Sequence, residues 1–245
     1  MHPSHLHYLP LSFPFYAIFG AILFALFILL QLGLLRYAYI RIGLDPRTAM
    51  LVLLASLLGS YVNIPVAQLP EERRISNEVL DFFGMPYSFP VVVDWPGTIL
   101  AVNVGGAVIP CVLSIYLLAR NRIWGAGALA TIIVAVIVHL FARIVPGAGI
   151  SVPIPVPPLT AFAAAMLLSR RSAPPLAYVG GSLGTLAGAD LANLDKISGI
   201  GTPIVSIGGA GTFDGIFLAG VLAVLLAALL PRPAEMAKIE NEAES

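Results

Sequence analysis

Apolar runs of bilayer length follow one another along this chain, and no other feature limits its fold so strongly. The first runs from Leu11 to Leu35 and one of the last from Phe213 to Leu230. A helix crosses the ~30 Å hydrocarbon core in about 20 residues. Apolar length and helix breakers together place helices near 12–35, 47–62, 97–119, 123–142, 156–169, 173–190 and 212–230. Only 11% of the 245 residues are charged, against about 25% in soluble domains. A chain so poor in charge cannot cover a globular surface with polar groups, so lipid must cover it. The expected fold is therefore all-α: a polytopic α-helical membrane protein of seven transmembrane helices, some broken or re-entrant. Residues 1–230 read as one integral membrane domain. Within it, 63–96 reads as an extracytoplasmic loop whose stretch EERRISNEVLDFFG suits a short interfacial helix. The charged end PRPAEMAKIENEAES, 231–245, reads as a disordered cytoplasmic tail. No Lys or Arg precedes the run at Leu11, and no A-x-A-like site follows it, so it reads as the first span rather than a cleaved signal.

Several chemistries are set aside. Net charge is zero and no basic patch offers itself to nucleic acid. A single cysteine, Cys111, excludes disulfides within the chain and cysteine zinc sites, and reads as a small buried hydrophobe. The HPSHLH run reads as exposed chain rather than a metal site. No metal or cofactor is expected. The expected partners are the lipid bilayer and an unidentified small-molecule or membrane-peptide substrate, and nothing in the sequence fixes an oligomeric state.

Orientation follows from the basic residues of alternate loops. Arg36, Arg41, Arg47, Arg120, Arg122, Arg170, Arg171, Arg232 and Lys238 fall on one side; Arg73, Arg74, Arg143 and Lys196 fall on the other. Nine against four places the C-terminus in the cytoplasm and the N-terminus outside, in the cell membrane.

On that topology the polar residues of the spans gather in the outer half of the bilayer. Asn103 lies near the outer end of the third span, His139 and Arg143 end the fourth at i, i+4, Asp190 ends the sixth, and Asp214 opens the seventh. Ionisable residues in spans are costly, face the protein interior and mark function. Asp214 also has a plain reading, as a negative charge at the positive end of a helix dipole. Asp190 closes its helix at the negative end, so it needs a cation such as Arg143, a proton, or a new short helix beginning at Leu191 to cap.

Glycines accompany these residues. Gly180, Gly184 and Gly188 recur every four residues and make a flat face for close helix packing. In NVGGAVIP, Pro110 and two glycines weaken one turn of the third span. Ile204 to Leu230 would span ~40 Å as continuous helix, too long for one crossing. PIVSIGGAG therefore reads as an irregular entry, with Gly208, Gly209, Gly211 and Thr212 bringing backbone amides to Asp214. The proline-rich stretch from Pro146 to Leu159 reads as extended and stiff. AVNVGGA, 101–107, and IVSIGGA, 204–210, agree at four of seven positions.

VNVGGAVIP, IVPGAGI, VGGSLGTLAGADLANL and VSIGGAGTFDGIFLAG resemble an uncharacterised family of bacterial and archaeal multi-pass membrane proteins, known as domain of unknown function 1614. The resemblance covers most of 97–230 and implies an integral membrane protein without implying an activity. Two aspartates on consecutive helices also resemble, more weakly, the intramembrane aspartyl proteases. Those carry G-x-G-D, where this chain reads Gly211-Thr212-Phe213-Asp214, and no P-A-L motif is present. Three functions follow. The first is an intramembrane aspartyl-type hydrolase or protease with Asp190 and Asp214 as its catalytic dyad. The second is a small-solute or ion transporter or channel with a broken-helix site. The third is a non-catalytic assembly protein. In the first two, Asn103, His139, Arg143, Gly208, Gly209, Gly211 and Thr212 bind substrate or ion.

Overall fold

The computed structural model describes residues 18, 20–26, 40–69, 72–82, 85–95, 97–145, 149–199, 202–209 and 215–229. The chain is mostly helical, and its helices lie where the apolar runs put them. Residues 20–26 of the first run are helical. The others are α1 Pro46–Gly59, α2 Ile109–Asn121, α3 Trp124–Phe141, α4 Val156–Leu168, α5 Ala173–Val179 and α6 Gly215–Leu229. Two continuous helices, Val104–Asn121 and Trp124–Phe141, are long and apolar enough to cross a membrane, with mean hydropathy 1.5 and 2.1. The expected tail at 231–245 lies outside the described residues.

Local chemistry sets the helix ends. Asp45 caps α1, its carboxylate accepting the Arg47 and Thr48 amides at 3.1 Å, and Pro46 sits in the first turn where no amide is needed. The Thr48 hydroxyl and amide hold the Asp45 carboxyl below the usual carboxylate range. Arg122, at φ 52°, ends α2 in the left-handed region and turns the chain tightly into α3. Pro157 and Pro158 fall in the first turn of α4. The extended stretch expected to reach Leu159 therefore stops before Val156, because prolines are tolerated where a helix begins.

The strands correct the all-α expectation. Residues 63–96 contain no interfacial helix among those described. They form β1 Asn63–Gln68 and a hairpin of β2 Glu72–Phe82 with β3 Met85–Trp95. The helical pattern of ERRISNEVLDF loses to its partner: MPYSFPVVVDW holds two prolines that no helix interior accepts and three consecutive valines that favour a strand. A two-stranded ribbon is all edge, where proline is tolerated. The third span begins later than expected. Residues 99–103 are strand β4, and helix starts at Val104 with a π-helical turn, Val104–Val108, leading into α2. Short strands β5 Arg143–Val145 and β6 Gly149–Ser151 form a second hairpin, and β7 Ile204–Ile207 precedes α6.

The helix 173–190 is the hub. It comprises α5 and two π-helical turns, Gly180–Gly184 and Leu186–Asp190, and α2, α3, α4 and α6 all pack on it. Every residue of α5 is buried. The glycine face behaves as expected, because Gly180, Gly184 and Gly188 lie on α3. A Cβ at Gly184 would stand 2.5 Å from that of Val134, and one at Gly188 would stand 2.3 Å from the Ala135 carbonyl oxygen. Alanines 161, 164, 165, 177, 219, 223 and 227 fill much of the remaining interior. Tyr178, Leu117, Leu176, Val134 and Val138 are buried among them, while Ile132, Val136 and Leu140, four apart on α3, are more than half exposed. Small residues at the helix contacts, with large apolar side chains also exposed on an outer face, suit helices solvated by lipid.

The tightest crossing joins α1 to the turn at 104–108. The Ser56 hydroxyl donates to the Gly105 carbonyl, and a Cβ at Gly105 would lie 2.0 Å from the Ser56 carbonyl oxygen. Gly105→Ala is expected to cost about 1–3 kcal/mol, the usual penalty of overpacking. Gly125→Ala, in helix α3 with open space around it, is expected to be neutral or stabilising by up to about 1 kcal/mol. Thermal unfolding of both variants in one detergent checks the pair, and equal effects would contradict the crossing.

Candidate functional site at the strand end of the bundle

Chain direction alternates from helix to helix, so all seven strands among the described residues lie at the end where α1 and α3 finish and α2, α4 and α6 begin. There β4 is the middle strand of the sheet β1-β4-β7. It pairs antiparallel with β1, Asn63 opposite Asn103, and parallel with β7, Ala101 beside Ser206. Each of the two parallel strands is followed by a glycine pair and then a helix. Gly105-Gly106 leads from β4 into α2, and Gly208-Gly209 leads from β7 towards α6. The two turns touch. Gly208 has φ 87°, and a Cβ there would be 2.5 Å from that of Ala107, while a Cβ at Gly209 would be 3.0 Å from Cγ of Asn103. Any larger residue would separate the turns.

Asn103, 1% exposed, ties this region together. Its Nδ2 donates to the Ser60 carbonyl at 2.7 Å and to Asn63 Oδ1 at 3.0 Å, and its Oδ1 accepts the Gly106 amide at 2.8 Å. It caps its own helix and ties that cap to the end of α1. Asn63 Oδ1 also accepts the Ser206 hydroxyl at 2.6 Å. Asn103 and Ser206 occupy the same place in the two related motifs, AVNVGGA and IVSIGGA. One asparagine oxygen thus gathers the equivalent polar residues of two similar units.

Asp190 lies partly buried at the end of the long helix. Its Oδ2 accepts the Gly208 amide at 2.6 Å, a short, charge-assisted bond. The cation expected for it is absent from this arrangement: Arg143 stands exposed on β5, and no ion pair joins it to Asp190 among the described residues. The backbone amide takes that place, and the chain after Asp190 continues in 3-10 turns from Leu191 to Gly199, kinked at Asn193. His139 meets Asn193 instead of Asp190. Its Nδ1 is 3.3 Å from Asn193 Nδ2, which donates to the carbonyls of Gly188 at 3.2 Å and Ala189 at 2.8 Å. Asn193 therefore closes the long helix, and its Oδ1 accepts Lys196 Nζ at 2.9 Å. Asp214, Gly211 and Thr212 lie outside the described residues.

The structure thus brings Asp190 to Gly208, Asn103 to Gly209, and His139 to Asn193. Ser60, Asn63, Ser206 and Asn193 were not among the expected site residues. For Ser206 a signal existed, since the motif match sets it against Asn103. No group of three or more His, Cys, Asp or Glu side chains able to hold a metal ion forms among the described residues.

These features define a class: a mostly helical chain with, among the described residues, two helices long and apolar enough to cross a membrane, and a hydrogen-bonded polar site where two strand–glycine–helix units meet. More narrowly, the chain belongs to the family described as "Protein of unknown function (DUF1614)", which matches residues 57–226. No curated protein and no solved structure matches it.

Removing Asn103 tests the site as a structural unit. Asn103→Ala leaves the Ser60 carbonyl and the Gly106 amide without this partner, at an expected cost of about 1–3 kcal/mol. Asn103→Asp restores the acceptor for Gly106 but sets a carboxylate against two oxygens, so it should not recover the loss. Thermal unfolding in detergent measures both, and full recovery by aspartate would rule out the assigned donors.

Proposed function

We propose that this chain is an integral membrane protein, N-terminus outside and C-terminus cytoplasmic, that carries a small solute or ion through a site built on Asp190 and the two glycine turns. The observation that carries the reading is the contact of two broken units: β4 and β7 run parallel, their glycine turns touch, and the Asp190 carboxylate is bonded to the second turn. Carrier sites are built at interrupted helices in corresponding parts of a chain, with freed backbone groups and half-helix ends facing the ligand. Asp190 has one oxygen on the Gly208 amide, and its other oxygen makes no hydrogen bond among the described residues. A carboxylate so placed is suited to take up a proton or bind a cation. The aspartyl hydrolase alternative rests on pairing Asp190 with Asp214, outside the described residues.

The bundle supports the topology. Arg41, Arg47, Arg120, Arg122, Arg170 and Arg171 fall at the end opposite the strands, where cytoplasmic basic residues belong. A reporter active only in the cytoplasm, fused after Ser245, is expected to be active. A silent but well-expressed fusion would reverse the orientation and put the Asp190 site on the cytoplasmic side.

Asp190→Asn keeps an oxygen for the Gly208 amide and removes the charge. It is expected to abolish complementation of a deletion strain while membrane abundance stays at the wild-type level. Full complementation would reduce Asp190 to a helix-end residue and end the carrier reading. Failure of both Asp190→Asn and Asp214→Asn, with a peptide-cleavage product lost in each, would favour the hydrolase instead.

A further inference from the structure

On the cytoplasmic side of Asp190, three buried hydroxyls have no hydrogen-bond partner among the described residues: Ser182 and Thr185 on the long helix and Ser114 on α2. They are 0%, 5% and 0% exposed. Serine and threonine in apolar helices ordinarily satisfy themselves by donating to the carbonyl four residues back. Ser60 does so to Ser56 at 2.8 Å and Thr160 to Val156 at 2.6 Å in this same chain. Ser114, Ser182 and Thr185 do not. A buried polar group left without a partner calls for a reason, and an entering water is one.

Their placement supplies the reason. Ser182 faces α6, since a Cβ at Gly220 would lie 2.4 Å from Ser182 Oγ. Ser114 lies on the buried side of α2, which packs on the 173–184 part of the long helix. The long helix is π-helical at 180–184 and 186–190. Bonding from i to i+5 brings residues five apart close to one face, and π turns occur at functional sites. Thr185 and Asp190 are five apart across the second turn. In a regular α-helix, at 3.6 residues per turn, they would face widely different directions.

We propose that Thr185, Ser182 and Ser114 line a proton path that connects Asp190 with the cytoplasmic half of the bundle. This rests on the carrier reading and names the proton as the ion moved. Asp190 takes a proton from outside water. When the packing around Gly220 loosens, water enters and bonds to the hydroxyls. The Asp190 carboxylic acid gives its proton to the water at Thr185, returning to carboxylate. Each oxygen along the file then gains one proton and releases one, so every hydroxyl ends as it began, and one proton leaves on the cytoplasmic side.

The test uses the full chain reconstituted in liposomes that enclose a pH-sensitive dye, with acid applied outside. The wild type is expected to admit protons above the rate of empty liposomes, and Asp190→Asn to abolish this. Thr185→Val, close to threonine in shape, and Ser182→Ala are each expected to slow entry at least tenfold. Both should unfold at the same temperature as wild type in detergent, or higher, because removing an unpaired buried hydroxyl removes a desolvation penalty. A structural role would instead lower the unfolding temperature and leave the flux of folded protein unchanged. Flux retained in Thr185→Val and Ser182→Ala but lost in Asp190→Asn would overturn the path and leave the carrier reading standing. No wild-type flux, with Asp190→Asn still failing complementation, would overturn the proton as the ion carried. Asp190→Asn indistinguishable from wild type in both assays would end the carrier reading itself.

Discussion

The pairing of β4 with β7 is the constraint on which the polar end of the bundle depends. Antiparallel neighbours can be joined by a short turn, but parallel neighbours need a long crossover. Here the crossover contains α2, α3, α4 and the long helix 173–190. Most of the helical bundle therefore connects two five- and four-residue strands. Four backbone pairs fix their register, and that register sets one glycine turn against the other. It also brings Ser206 to the Asn63 oxygen that Asn103 already occupies, and Gly208 to the end of the long helix where Asp190 waits. A slip of one residue in β7 would turn Ser206 to the other face of the sheet.

The glycines serve this arrangement in two ways. Along 180–188 they thin the long helix so that α3 lies against its backbone, which fixes where Asp190 and Asn193 end up relative to His139. At 105 and 208 they let backbone meet backbone across the site. Gly208 also needs its positive φ, which directs its amide to the Asp190 carboxylate. The polar contacts are therefore held by apolar packing on the helices and by register on the strands, and neither support relies on ion pairs.

Much of this was legible because helices in an apolar chain announce themselves by length. Apart from α2, whose expected first turns are strand β4, the helices α1 to α6 begin and end near the breakers that bounded them. The strands were hidden for the same reason. ILAVN is an apolar run contiguous with a helix, and periodicity cannot tell such a run from the helix it joins; IVSI reads as an irregular entry because glycines follow it. In 72–95 the first strand carries a helical pattern, and only its partner's prolines and valines contradict it. At the site, Asn103, Asp190, Gly208 and Gly209 stood out as polar or flexible residues in apolar surroundings. Asn63 and Asn193 did not, since uncharged polar residues near helix ends are common. Arg143 stood as one candidate partner for Asp190, beside a proton or a short helix from Leu191 to cap, because a buried carboxylate needs a partner. The partner is a backbone amide, and a backbone amide leaves no mark in a sequence.

The sheet also fixes the depth of the site under the membrane reading proposed above. Every residue of β1 is exposed, Ile64 and Val66 among them, and an open strand edge cannot face hydrocarbon, where its backbone groups would find no partner. The sheet must then lie at the aqueous boundary, and hydrocarbon begins near Val104. From there the 18 residues to Asn121 reach about 27 Å, close to the thickness of the core. Asp190, bonded to the turn that follows β7, shares that boundary depth, where water reaches a carboxylate and ionisation is tolerable. Ser182, eight residues back along the π-helical stretch, lies about two turns deeper. The carboxylate thus stands where bulk water stops, and the unpartnered hydroxyls begin where only water drawn in by the protein can go.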